Sequence, residues 1–147
     1  MTDSPKHPIT LDRVFFVRTS VVAVTGHTPV DRAVVPGPEN QLGINKIDEA
    51  KRVYQAVMRT RMNTEADKSC PYSIDMECVA LLTVDETLAE EEAIRGVHIT
   101  AHNVLYGAIR EAVAWLTGRG PFGSLTLGLS VLQFTNPAPE TEAPVKP

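Results

Sequence analysis

Two cysteines in 147 residues, an aromatic content of 5% and no surplus of basic charge set the first constraints on this chain. With only Cys70 and Cys78 there is no second pair to build a disulfide framework or a four-cysteine zinc site, so both read as reduced thiols. The net charge of -4 and a pI near 5.5 argue against the one-sided basic patch of a nucleic-acid binder. No stretch approaches the roughly 18 apolar residues of a membrane span, and the opening MTDSPKHPITLD has no cationic segment leading into an apolar run. The expectation is a cytoplasmic protein without membrane insertion. Catalytic signatures are missing as well: there is no GxSxG, no phosphate-binding glycine loop and no GxGxxG after a strand. His98 and His102 stand four apart, close in sequence to Glu90, Glu91 and Glu92, which is formally a metal-ligand spacing. They read more simply as helix residues with ordinary hydrogen bonds, so no enzyme, cofactor or metal is expected.

A hydrophobic content of 43% in a chain of this length is enough for one self-folding core. Residues 1–8 read as a flexible N-terminus, 9–134 as the folded domain, and 135–147, with Pro137, Pro139, Pro144 and Pro147, as a disordered tail. Leu11 to Val24 is dense in β-branched and aromatic residues and reads as a strand. Neither of its alternating faces is cleanly polar, which suggests that it is sandwiched or shared with a neighbouring subunit. Thr25 to Asn40, with three prolines and two glycines, reads as an extended crossing loop. Gln41 to Ile47 is a weaker strand carrying Leu42 and Ile44 on one face. Val53 to Asn63 and Tyr72 to Val84 both bury their even-numbered positions. The short polar connector TEADKSCP predicts an antiparallel hairpin, and matching the faces pairs Arg61 with Asp75 and Arg59 with Glu77. The alternative is four separate solvated charges. DETLAEEEAIRG reads as a short acidic helix ended by Gly96.

The segment from Asn103 to Leu127 carries the most information. At about 100° per residue, Val104, Trp115, Ala108, Ala112, Leu105, Leu116, Ile109, Val113 and Tyr106 fall within an arc of roughly 200°, leaving Arg110, Thr117 and Glu111 on a narrow polar strip. One sheet needs about half of that arc. The surplus predicts a homo-oligomer, with Val104, Ala108, Ala112 and Trp115 as interface candidates. A helix covered by the chain's own loops is the alternative.

The run Asn103, Leu105, Tyr106, Arg110, Glu111, then Arg119, Gly120, Phe122, Leu125 and Leu127, resembles the NxLFxxxRExxxxxxxRGxFxxLxL segment of the SecB protein-export chaperones. LDRVFFV, PENQLGI and VYQAVMR resemble three strands of that family in the same order, and Glu77 sits where the family has a strand glutamate. The resemblance spans about residues 9 to 134. It implies an α+β fold, a four-stranded antiparallel sheet with a long crossing loop, packed by one long C-terminal helix, and assembly as a homodimer or homotetramer. It implies an ATP-independent holdase for unfolded or newly made polypeptides, working in protein export without nucleotide or metal. The apolar grooves implied would draw on Phe16, Val22, Leu42, Ile44, Leu81, Leu82, Phe122 and Leu125. Arg18, Asp75 and Glu77 are the partner-docking candidates. Two departures stand out: Arg18 and Val22 occupy positions where the family has acids that help dock the SecA motor, and no second C-terminal helix follows SLTLGLSVLQF. Both suit an adaptor or a chaperone dedicated to one partner, such as a toxin-antitoxin or mobile-element protein, as well as they suit an export factor.

Overall fold

The computed structural model describes residues 6–28, 37–130 and 132. They form β1 (Ile9–Ala23), β2 (Glu39–Asp48), β3 (Val53–Met62), β4 (Tyr72–Val84) and α1 (Glu90–Gly118). The strands make one antiparallel sheet in the order β1-β4-β3-β2, with α1 packed on one face. This is the α+β architecture that the SecB resemblance implies. β1 and β2, joined by the proline- and glycine-rich connection, lie at opposite edges of the sheet. Residues 29–36 of that connection lie outside the described residues, as do 1–5 of the expected N-terminal segment and all of the expected tail over 135–147.

The helix-side face is apolar because the two central strands place every even residue there. Tyr72, Ile74, Met76, Cys78, Ala80, Leu82 and Val84 of β4 are buried against α1, together with Tyr54, Ala56, Met58 and Met62 of β3. The hairpin register is the expected one: Arg59 lies opposite Glu77 and Arg61 opposite Asp75.

β1 departs from the simple alternating pattern. Its ladder with β4 slips once between Leu11 and Arg13 and again between Phe16 and Arg18, so Asp12 and Val17 are extra residues on β1. Each slip inverts the alternation. Ile9, Leu11, Val14, Phe16, Thr19, Val21 and Ala23 lie opposite the helix-facing residues of β4, and Arg13, Phe15, Arg18, Ser20 and Val22 lie opposite those of the face turned away from α1. The mixed character of both sequence faces is therefore produced by two bulges, a cause the regular alternation did not anticipate.

α1 buries Ala93, Val97, Ala101, Leu105, Ile109, Val113 and Thr117, one residue in every four. That spacing turns about 40° per step and carries the stripe around the helix as it crosses the twisted sheet. Three glutamates in the first turn complement the helix dipole where Ala89 offers no side-chain cap. Two expectations need correction. Gly96 lies inside the helix, where a Cβ would stand 2.8 Å from Ile9 Cδ1; it permits a close helix–strand approach and does not end the helix. Thr117 belongs to the buried face, because its hydroxyl donates to Val113 O at 2.6 Å and accepts the Leu125 amide at 2.7 Å.

After α1 the chain turns back. Tyr72 Oη accepts the Phe122 amide at 3.1 Å and donates to Gly123 O at 2.8 Å, with Thr117 O at 3.1 Å. Phe122 lies edge-on to both Tyr72 and His27, with ring centroids 5.9 and 5.0 Å away. Residues 124–130 then run back along the helix without entering a sheet.

Candidate functional site

Three surfaces carry the chemistry of this fold. The first is the sheet face opposite α1. Phe15, Val79 and Val57 form an apolar row across β1, β4 and β3, with Leu81 in the next row and Arg13 stacked 4.7 Å over Phe15. Beside them lies a charged patch. Arg59 grips Asp75 bidentately at 2.9 and 3.0 Å, and Arg18 reaches the same carboxylate at 3.8 Å. The grip is diagonal, since Asp75 stands directly opposite Arg61. The hydrogen bonds from Arg59 hold the Asp75 carboxyl below its ordinary pKa, and Asp75 in turn raises that of Arg59. Among the described residues neither Glu77 nor Arg61 makes an ion pair within 4.0 Å.

The second surface is apolar and exposed among the described residues. Along the edge strand β1, Leu11, Phe16, Val17 and Val22 are exposed, the last two by 56% and 58%. On α1 the outward residues are Ile94, Ile99 and Trp115, the last 61% exposed with Arg119 over its ring at 4.8 Å.

The third surface lies between α1 and β2 and holds residues 124–130. His102 Nε2 meets Ser130 Oγ at 3.1 Å, and Asn40 Nδ2 donates to the same hydroxyl at 3.1 Å. Tyr106 Oη donates to Gly128 O, Arg110 Nε donates to Leu127 O at 2.8 Å, and Ser124 Oγ donates to Ala114 O at 3.2 Å. Leu125 and Leu127 turn inward to the core, whereas Leu129 is 84% exposed.

These surfaces separate the groove candidates into several environments. Val22 and Leu81 belong to the sheet face opposite α1, Val22 exposed and Leu81 half-buried. Leu42 and Ile44 are half-buried on the helix side of β2, where they pack on the core, and Phe16 is exposed near the β1 edge. Phe122 is held in the turn between His27 and Tyr72, and Leu125 lies in the returning segment. Leu82 is fully buried under α1, so it is a core residue and not a groove residue. Of the docking candidates, Arg18 and Asp75 are joined, with Glu77 directly opposite Arg18. Of the interface candidates, only Trp115 is fully presented; Val104, Ala108 and Ala112 are half-buried, the two alanines against the core.

Among the described residues no group of three or more His, Cys, Asp or Glu side chains could hold a metal, and no helix is long and apolar enough to cross a membrane. Burial lowers the pKa of His98, and His102 is engaged by Ser130 and, at 3.4 Å, by Asn103 Oδ1. Sequence reasoning missed the polar row His102, Tyr106 and Arg110. Its signal was present in the spacing, one hydrogen-bonding side chain every four residues on an otherwise apolar helix.

No family model and no curated protein matches the chain. Solved structures do. The Mycobacterium tuberculosis Rv1957 SecB-like chaperone, in complex with a ChAD peptide from the Rv1956 HigA1 antitoxin, superposes with a TM-score of 0.63 at 21% identity, covering 86% of this chain and 93% of the other. A protein of unknown function from Streptococcus agalactiae superposes with a TM-score of 0.55 at 11% identity, covering 82% and 97%. The four-stranded sheet with its single long C-terminal helix is thus a SecB-like fold.

Proposed function

We propose that the protein is an ATP-independent holdase chaperone for extended polypeptide, dedicated to a particular partner more than to general export. One observation carries this reading: the fold is shared with a SecB-like chaperone whose structure contains an antitoxin peptide. The exposed apolar residues of β1 supply what a chaperone without a chemical cycle needs, since binding an unfolded chain shifts its folding by mass action alone. A homodimer or homotetramer formed through the outward side of α1 around Trp115 fits the surface apolarity, and the acidic composition, with a net charge of -4, fits a protein that does not bind nucleic acid.

The sheet face opposite α1 favours a dedicated partner. Arg18 and Val22 replace the acids expected for a SecA-docking face, and Asp75 is already neutralised by Arg59 and Arg18. Opposing such a face with a partner built for negative charge costs more than losing a contact. SecA binding is accordingly weak in this reading, and Arg18→Asp with Val22→Glu strengthens it.

The test is suppression of aggregation of a chemically unfolded client without nucleotide, at near-stoichiometric ratio. Leu81→Asp and Val22→Asp, on the sheet face opposite α1, should impair holding and leave the assembly unchanged, because an apolar groove desolvates the new charge. Failure of the unmodified protein to hold unfolded chains, or tight SecA binding, refutes the reading.

A further inference from the structure

The returning segment, Ser124 to Ser130, is bound in an unusual way. Among the described residues it makes no backbone–backbone hydrogen bond with the sheet or the helix. Side chains hold it. Thr117 takes the Leu125 amide, Arg110 takes the Leu127 carbonyl, Tyr106 takes the Gly128 carbonyl, and His102 with Asn40 takes the Ser130 hydroxyl.

The spacing explains why one helix can do this. Four helical residues rise about 6 Å, and two residues of extended chain rise about 6.6 Å. His102 and Tyr106, one such step apart, accordingly meet residues 130 and 128, while Arg110 reaches the adjacent Leu127 carbonyl and Thr117, seven positions further on, takes the Leu125 amide. Residues 102 to 117 of α1 rise about 22 Å, and their partners, residues 125 to 130, span at most about 17 Å when extended, a difference that the lengths of the helix side chains take up. Three of these contacts address backbone atoms, and only Leu125 and Leu127 fill apolar space. The site thus demands an extended main chain with apolar side chains on alternate positions, and it does not read which chain supplies them. Strand-addition sites follow the same division, with main-chain bonds for affinity and pockets for alternate side chains.

We infer that the face of α1 formed by His102, Tyr106, Arg110 and Thr117, with Asn40 of β2, is a binding groove for extended polypeptide, and that residues 124–130 are its displaceable internal occupant. This rests on the chaperone reading for the source of the competing chain: an unfolded segment with alternate apolar residues. While the internal segment is docked, the apparent affinity for an outside chain is reduced by the fraction of molecules whose groove is open. Weakening the internal segment without touching the groove must then tighten binding of outside chains. A purely structural segment gives the opposite result, since loosening it would only damage the fold.

The experiment uses the full chain and a fluorescein-labelled synthetic peptide of its own residues 123–130, Gly-Ser-Leu-Thr-Leu-Gly-Leu-Ser, followed by anisotropy. Leu125→Ser combined with Leu127→Ser should bind the peptide at least tenfold more tightly than the unmodified protein. Adding Tyr106→Phe and Arg110→Gln to that variant should abolish the gain. Ser130→Ala removes two hydrogen bonds and no apolar contact, so it reports without burdening the core; a several-fold gain is expected. Unchanged or weaker peptide binding by Ser130→Ala overturns the inference, whether or not the double serine variant folds. Reduced, carboxymethylated α-lactalbumin is the second probe. If the variants gain affinity for the peptide while no form of the protein binds this unfolded chain, the groove stands and the chaperone reading falls. If the unmodified protein binds it and no variant gains affinity for either probe, the chaperone reading stands and the internal-occupant inference falls.

Discussion

Replacing Gly120 with alanine provides a quantitative test of how the C-terminal turn is locked. Gly120 is a glycine for space and not for backbone angle: an added Cβ would stand 2.7 Å from Tyr72 Oη, 3.0 Å from Tyr72 Cε1 and 3.2 Å from Thr117 O. Tyr72 is fixed in the core and cannot simply swing aside, because its ring is buried and its hydroxyl is committed to Phe122, Gly123 and Thr117. Overpacking of this kind costs about 1–3 kcal/mol, and displacing the hydroxyl from its partners adds about 1 kcal/mol, so Gly120→Ala should destabilise by about 2–4 kcal/mol. Tyr72→Phe removes the hydroxyl and leaves an amide and a carbonyl without their partner, for about 1–3 kcal/mol. In the phenylalanine background the atom nearest the new methyl is gone, so alanine there should cost less than it does alone. The four proteins should be compared by urea unfolding at one protein concentration, since any assembly contributes to apparent stability. A coupling of about 1–2 kcal/mol is expected from groups in direct contact. Additivity within about 0.5 kcal/mol would show that the hydroxyl does not set the glycine requirement.

Three further outcomes are expected. The Asp75 carboxyl is held below its ordinary pKa, so its contribution to stability is present above the unfolded-state value of about 4 and is lost as pH falls through the lower folded value; Asp75→Asn should flatten the acid limb of a stability-versus-pH curve, and an unaltered limb would remove this pair as a cause. Cys70 and Cys78 are both buried, and burial raises the pKa of the Cys78 thiol, so neither should react with an aromatic disulfide reagent until denaturant is added; rapid labelling in the native state contradicts their placement. Trp115→Glu should shift the sedimentation profile toward smaller species while leaving helix content unchanged, because an interface would have to bury an unpaired charge; an unmodified protein that sediments as a monomer at micromolar concentration refutes the assembly reading.

What the sequence disclosed follows from which periodicities survive folding. β3 and β4 are regular, so their even-numbered cores and the pairing of Arg59 with Glu77 follow from alternation and connector length alone. The ion pair itself was less legible, because arginine is long enough to reach diagonally and Asp75 had two neighbours in range. Gly96 looked like a helix end since glycine is a poor helix former; the reason for it, the approach of Ile9, comes from a strand more than eighty residues earlier. Thr117 was assigned to a polar strip because a helical wheel sees residue type and ignores tertiary partners such as the Leu125 amide. Leu82 is even-numbered, so the same alternation already places it in the core and Leu81 on the other face; naming Leu82 as a groove residue runs against that period.

The two slips in β1 also bear on how this chain can change length. Deleting Val17 would leave Phe16 opposite Cys78 and Arg18 opposite Glu77, the partners they already have, and the same holds at Asp12 between Leu11 and Arg13. Insertions and deletions of a single residue are usually ruinous in a strand, since they turn every later side chain to the wrong side. Here the edge strand has two joints at which one residue can be lost without passing an error along. Distant sequences aligned without gaps across this strand would be compared inside to outside, and correspondence is restored only by reading it as three separate frames.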